Sequence, residues 1–435
     1  MINNEKHSMS WYFDRGLEKK ALLLDASNLD WFEFPLFSSI RKEIYRTLED
    51  PSDDMDWGYS YPGGKNQLRE LIAEHESFLE DTIIDKNDVI VGGNGVTGVL
   101  NFISQFLVKK SIELNKNGII YPVPAYAGLL KSLTFYNLET TIINTSRENN
   151  YCLTYEDIVN NYNDNTIAIL ITNPGNPACC YIKDNDLRKI ISFAKKKNIY
   201  IILDAIFEES PNGTNKLARS FLLSNNYEKL IKIKGFSKDI PQLSDLRLGW
   251  SICKNNEFNK FMLELGEITN YSNSTFLESL GIVEMKTRVL KDKKETSNLI
   301  VEYNNEIENY HNKINETIKE TIELVNNSSI FEDCIIPEAG NILFIKIKKE
   351  ICSKNNILDS HDLFVYILEK GNILITPGHV FGLKMEELWF RVTVSRGKEQ
   401  FINGLKKIEE ILGDNDEWKN CRNYKKYIFF AWNNW

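Results

Sequence analysis

Two cations close in sequence carry the most specific chemistry in this chain. Lys238 ends Gly235-Phe236-Ser237-Lys238, and nine residues later Arg247 stands in Leu246-Arg247-Leu248-Gly249-Trp250. The lysine follows a predicted buried strand and the arginine leads into another. An amine so placed can form a Schiff base with an aldehyde cofactor, and a nearby guanidinium can hold that cofactor's phosphate. Most Lys/Arg pairs are solvated surface, so the pairing gains meaning only from what else the chain supplies.

Five further groups have the right chemistry. Gly93-Asn94-Gly95-Val96-Thr97-Gly98 follows a predicted strand and opens a helix. It matches a dinucleotide fingerprint, but the next strand ends Ile120-Tyr121-Pro122 with no carboxylate for a ribose. What survives is a helix N-terminus offering N–H groups to an anion, or a turn with no ligand. Pro122-Val123-Pro124-Ala125-Tyr126 stiffens a loop that can offer a ring face to a heterocycle, though a core tyrosine reads the same way. Asn173-Pro174-Gly175-Asn176-Pro177 turns the chain at a strand's C-terminal end, where ligands of open α/β sheets bind. Asp204 ends an apolar strand; a buried carboxylate there needs a cation, or else caps the next turn. Arg391, inside Trp389-Phe390-Arg391-Val392-Thr393-Val394, would be buried only against an anion, either a substrate carboxylate or an internal acid.

The elements that must position these groups follow from periodicity. Short apolar runs at 89–91, 119–121, 142–143, 167–171, 200–203 and 230–233 alternate with amphipathic stretches such as 97–108 and 185–197. Continuously apolar strands separated by helices argue an α/β fold with a mostly parallel sheet. Residues 284–327 read as one or two long charged helices. Beyond them the pattern becomes α+β, with strands near 342–347, 373–376 and 389–394 and a helix over 398–412. A tail at 413–435 is rich in aromatics that pack on the body or a partner, or cover the site.

Composition excludes several classes. The net charge is −9, so no broad basic field attracts nucleic acid or anionic lipid. No apolar run approaches the roughly 20 residues of a membrane helix, and residues 1–16 lack the apolar core of a secretory signal. Seven scattered cysteines and five histidines make no zinc spacing. A cytoplasmic enzyme acting on small molecules, with no nucleic-acid or membrane partner, is expected.

In this order the motifs resemble the fold-type I pyridoxal 5'-phosphate enzymes of the class I/II aminotransferase family, over about residues 30–412. The resemblance implies a large domain (51–290) with a mostly parallel seven-stranded sheet, a smaller α+β domain (291–412), and an N-terminal segment (1–50) packed on the latter. It implies that Lys238 bonds the cofactor and Asp204 holds its pyridine nitrogen. Gly95, Val96, Thr97 and Arg247 would hold the phosphate, Tyr126 would stack on the ring, and Asn176 would bond the 3'-oxygen. Arg391 would take the substrate carboxylate. Tyr59, in Tyr59-Ser60-Tyr61-Pro62-Gly63-Gly64, would reach the phosphate of a second subunit in a homodimer. The implied reaction moves an amino group between an L-amino acid and a 2-oxo acid.

Four positions depart from the family's pattern. Phe207 replaces a tyrosine three residues after Asp204, Gly235 replaces a phosphate-binding serine, Cys179 replaces the glycine closing the Asn-Pro motif, and the Lys238–Arg247 gap is one residue longer than usual. Phe207 and Pro241-Gln242-Leu243 also resemble arginine oxidases and hydroxylases that use the same cofactor and oxygen. Oxidation, hydroxylation or cyclisation, and C–S or β-elimination, are therefore the competing reactions.

Overall fold

The computed structural model describes residues 8–26, 29–49, 58–210 and 219–413. Most of the aromatic tail, from residue 414, lies outside them. In chain order the strands are β1 (Leu22–Leu23), β2 (Val89–Gly92), β3 (Gly118–Val123), β4 (Glu139–Asn144), β5 (Thr166–Thr172), β6 (Tyr200–Asp204) and β7 (Leu230–Gly235). They continue with β8 (Gly249–Ile252), β9 (Phe331–Ile335), β10 (Ile342–Ile347), β11 (Ile373–Leu374), β12 (Thr376–Pro377) and β13 (Trp389–Thr393).

Seven of these form one sheet in the order β2-β8-β7-β6-β5-β3-β4, parallel except for β8, which runs antiparallel to both neighbours. β5 and β6 are apolar between their terminal residues because both faces are covered. Ile169, Ile171, Ile201 and Leu203 enter one core, while Ala168, Leu170, Tyr200 and Ile202 enter the other. On β7 the second core takes Ile231 and Ile233, which leaves Lys232 and Lys234 pointing into the first, fully buried. β5, β6 and β7 run side by side, with Thr172 opposite Asp204 and Asp204 opposite Ile233. Their C-terminal ends therefore deliver the Asn-Pro turn, Asp204 and Lys238 to one edge, the edge where parallel sheets bind ligands.

The second sheet is antiparallel, in the order β12-β13-β10-β9. β9 carries exposed Glu332 and half-buried Asp333 among its apolar residues, the pattern of a protected edge strand, and so had no signature in the apolar runs. The long charged stretch forms the helix Asn298–Asn327, and the helix before it, Thr275–Asp292, starts earlier than periodicity indicates. The N-terminal segment joins this half: β1 pairs in parallel with β11. From there Leu24, Asp25 and Ala26 run alongside β13, where the Leu24 carbonyl accepts from the Thr393 N–H at 2.8 Å.

Candidate active site

Lys238 lies in the short helix Phe236–Asp239 directly after β7 and is half-buried. No carboxylate pairs with it among the described residues. Burial lowers its pKa to about 8, helped by the Arg391 charge and opposed by Asp25. Its Nζ stands 5.8 Å from the centre of the Phe207 ring. On the neighbouring strand Asp204 is also buried. Its Oδ1 accepts from the Ile206 N–H at 3.1 Å, and burial raises its pKa to about 6 because no described cation offsets it. A half-buried amine without an acid and a buried acid without a base thus end adjacent strands.

Three glycines bring the anion-binding turn against these strands. Gly235 faces Gly249 across β7 and β8. A Cβ at 235 would stand 2.8 Å from the Leu248 carbonyl oxygen, and one at 249 would stand 2.6 Å from Gly95 C and Val96 N. Real Cβ atoms do not approach so closely, so the missing serine at 235 has a steric cause. The Gly95 N–H donates to the Arg247 carbonyl at 2.6 Å, and Arg247 Nη2 donates to the Asn94 carbonyl at 3.0 Å. Val96 and Thr97 occupy the first turn of the helix Gly95–Leu114, where amide N–H groups have no intrahelical acceptor. Arg247 and Thr97 are both exposed beside that turn.

Tyr126 caps the helix Ala127–Phe135, and its carbonyl accepts from the Tyr121 hydroxyl at 2.9 Å. A Cβ at Gly128 would sit 2.5 Å from Tyr126 Cε1, so glycine makes room for the ring. The Asn-Pro turn carries Asn176, whose Oδ1 accepts from Arg391 Nη1 at 3.1 Å, an orientation that turns its amide N–H groups elsewhere. Cys179 adopts φ +53°, the left-handed conformation for which a glycine would be natural, and its thiol packs near Gly340 and Phe207. Burial pushes that thiol well up.

Arg391 is buried, with its charge met by Asp25: Nε donates to Oδ2 at 3.0 Å and Nη2 to the same oxygen at 2.9 Å. The Phe381 ring covers the guanidinium at 4.7 Å. Asp25 had no place in the sequence analysis, although an acid ending Leu22-Leu23-Leu24 carries the same signal that singled out Asp204. Tyr59 is not brought to the other residues; it is 85% exposed and packs edge-on against Tyr271.

Beneath the site lies a charged cluster that periodicity does not reveal. Lys232 Nζ meets Glu76, Glu80 and Glu208 at 3.1, 2.8 and 2.7 Å; Lys234 Nζ meets Glu76, Glu208 and Glu209 at 3.0, 3.2 and 2.6 Å. Burial pulls both amines down, but the carboxylates outweigh it and hold them above the ordinary lysine range. Arg288 continues the cluster to Glu209, Glu284 and Asp239, and His75 bridges Glu209 and Asp292. Glu208 and Glu209 follow Phe207, and Asp239 follows Lys238, so the cluster anchors both loops that border the amine.

Pyridoxal phosphate fits what is present: an acid lacking a cation suits a pyridinium, an amine lacking an acid suits an aldehyde, and a helix N-terminus beside an arginine suits a phosphate.

Comparison with known proteins agrees with that fit. The family described as Aminotransferase class I and II matches residues 28–408. A probable aspartate/prephenate aminotransferase of Aquifex aeolicus is 23% identical over 355 residues, covering 81% of this chain and 83% of that protein. A histidinol-phosphate aminotransferase of Methanocaldococcus jannaschii is 22% identical over 307 residues, covering 69% of this chain and 72% of that protein. Among solved structures, an aromatic aminotransferase of Pyrococcus horikoshii superposes with a TM-score of 0.75 at 19% identity, over 92% of this chain and 98% of that one. The chain belongs to the class I and II aminotransferases, a pyridoxal-phosphate-dependent family of fold-type I.

Proposed function

We propose that this aminotransferase binds pyridoxal phosphate through Lys238 and passes an amino group from an L-amino acid to a 2-oxo acid. The observation that carries the assignment is the half-buried Lys238 amine with no carboxylate bonded to it among the described residues, one strand from a buried Asp204 that has no cation. Once bound, the cofactor supplies an aldehyde for the substrate amine and a ring that draws electrons from the α-carbon.

The chain's own residues do the rest. Asp204 holds a proton at the pyridine nitrogen. Asn176 Nδ2 donates to the ring's 3'-oxygen, a task that Phe207 cannot share. Tyr126 stacks on the ring, while Gly95, Val96, Thr97 and Arg247 receive the phosphate. Lys238 Nζ, whose pKa is lowered to about 8 and which therefore gives up its proton more readily than an ordinary lysine, would take the proton from the α-carbon and return it to the cofactor's C4' position. Arg391 receives the α-carboxylate. The protein acts as a cytoplasmic homodimer in which exposed Tyr59 reaches the phosphate site of the partner subunit.

The test incubates purified protein in air with each L-amino acid, with and without a 2-oxo-acid acceptor, following absorbance and oxygen. Turnover that requires the acceptor and consumes no oxygen is the expected result. Oxygen uptake without an acceptor would replace transamination by oxidation. An imine absorbance band that is missing, or that persists in Lys238→Ala, would remove the cofactor assignment.

A further inference from the structure

An arginine has five N–H donors, arranged as a side-on pair (Nε and Nη2), an end-on pair (Nη1 and Nη2) and one outer Nη1 hydrogen. Asp25 occupies the side-on pair of Arg391: Nε reaches Oδ1 at 3.2 Å and Oδ2 at 3.0 Å, and Nη2 reaches Oδ2 at 2.9 Å. Asn176 Oδ1 takes an Nη1 hydrogen at 3.1 Å. Apart from Asn176 on one Nη1 hydrogen and Asp25 on one Nη2 hydrogen, no described acceptor takes the Nη1 and Nη2 donors that face away from Nε. Phe381 lies against the guanidinium plane at 4.7 Å, so three neighbours fix its position, tilt and rotation. The Asp25 side chain is 1% exposed and that of Arg391 is 10% exposed, which puts the remaining opening on the arginine's side.

Asp25 is itself held rigidly. Its own N–H donates to the Leu374 carbonyl at 3.3 Å, the preceding carbonyl accepts from the Thr393 N–H, and the following N–H donates to Thr393 Oγ1 at 2.9 Å. Thr393 lies two residues beyond Arg391, on the same face of β13. The acid is thus clamped to the strand that carries its arginine. It comes from a segment 366 residues away in sequence.

On the reading of Arg391 given above, we infer that Asp25 is the positioning residue for substrate recognition: it seals the side-on edge of Arg391 and leaves the end-on pair as the only seat for a substrate α-carboxylate. One carboxylate is received, in one plane, by a cation already half-neutralised. The consequence is selection by geometry: a compound with an amine and no adjacent carboxylate gains nothing from the seat, and a misplaced guanidinium would cease to discriminate.

The test uses the full chain loaded with pyridoxal phosphate, as wild type, Asp25→Asn and Asp25→Ala. The asparagine can keep an oxygen where Oδ2 accepts both N–H groups but removes the charge; the alanine removes both. The probes are the L-amino acid that turns over fastest and the amine left when its carboxyl group is removed. In Asp25→Ala, kcat/KM for the amino acid should fall about 10²-fold, mainly through KM, and that for the amine far less, so that the preference for the amino acid collapses. Asp25→Asn should keep most of the preference. The titratable groups facing Lys238 are the charged Arg391, Asp25 and Arg247 and the neutral Cys179 thiol. Loss of the Asp25 charge should therefore move the titration of the imine band down by about a unit in both variants, a readout that a purely structural role would not move. An undiminished preference in Asp25→Ala, or an imine titration unmoved in both variants, would overturn the inference; if the alanine variant does not fold, the asparagine titration decides. A wild-type protein with no imine band would instead sink the cofactor assignment on which this rests.

Discussion

Three lysines lie within seven residues at the end of β7, two fully buried and the third half-buried, and the structure treats them in opposite ways. Lys232 and Lys234 each touch three carboxylates and are held in their charged form. Lys238 touches none, and its pKa is lowered to about 8. The difference is one of supply. Glu76 and Glu80 project from the helix Asn66–Glu80, and Glu208 and Glu209 from the loop after Asp204, to reach the strand but not the turn beyond it. Burial alone therefore does not make a reactive lysine; burial without an acid does. The charged cluster serves the reactive amine by fixing the loops on either side of it.

The comparison breaks most sharply under substitution. Lys238→Ala should abolish turnover by more than the ~10²–10⁴-fold typical of losing a general base, because the cofactor anchor goes too, yet leave the melting temperature near that of wild type. Lys232→Met should do the reverse. It leaves buried Glu80 without a cation among the described residues and takes one of two from Glu76 and Glu208, so about 3–5 kcal/mol of stability is expected to be lost in denaturant titration. If Lys232→Met were as stable as wild type, the cluster would not be the anchor described here.

Acidity sharpens the same contrast. Burial pulls His75 down, but Glu209 and Asp292 raise its pKa from 6.5 to about 9. A raised folded-state pKa gives stability that is complete below pH 6.5 and is lost as pH rises through about 9. Melting temperature measured from pH 6 to pH 10 should therefore fall across that window, and less so in His75→Gln. The smallest expected effect is that of Phe207→Tyr. A hydroxyl near the cofactor's 3'-oxygen would stabilise its ionised form and move the imine titration down by about a unit or less, measured by absorbance against pH.

Much of the site was legible because its residues sit at strand ends, and strand ends are visible where apolar runs stop. Asp204, Asn176 and Lys238 all follow such runs, and the α/β alternation that aligns them is a property of local periodicity. What escaped comes from pairing across the fold. Lys232 and Lys234 read as polar interruptions of a strand, since nothing local says that carboxylates from two other elements meet them. Asp25 is invisible as a partner of Arg391 because only the folded N-terminal segment lies along β13. Gly235 reads as a defect in the phosphate motif until the facing Leu248 carbonyl shows that a side chain has no room.

Borohydride reduction of the protein loaded with pyridoxal phosphate, followed by peptide mapping, tests the contrast among the three lysines most directly. The account predicts a single pyridoxyl group, on Lys238, with Lys232 and Lys234 unmodified. A label on either of those two, or a reduced protein with Lys238 unlabelled, would contradict it.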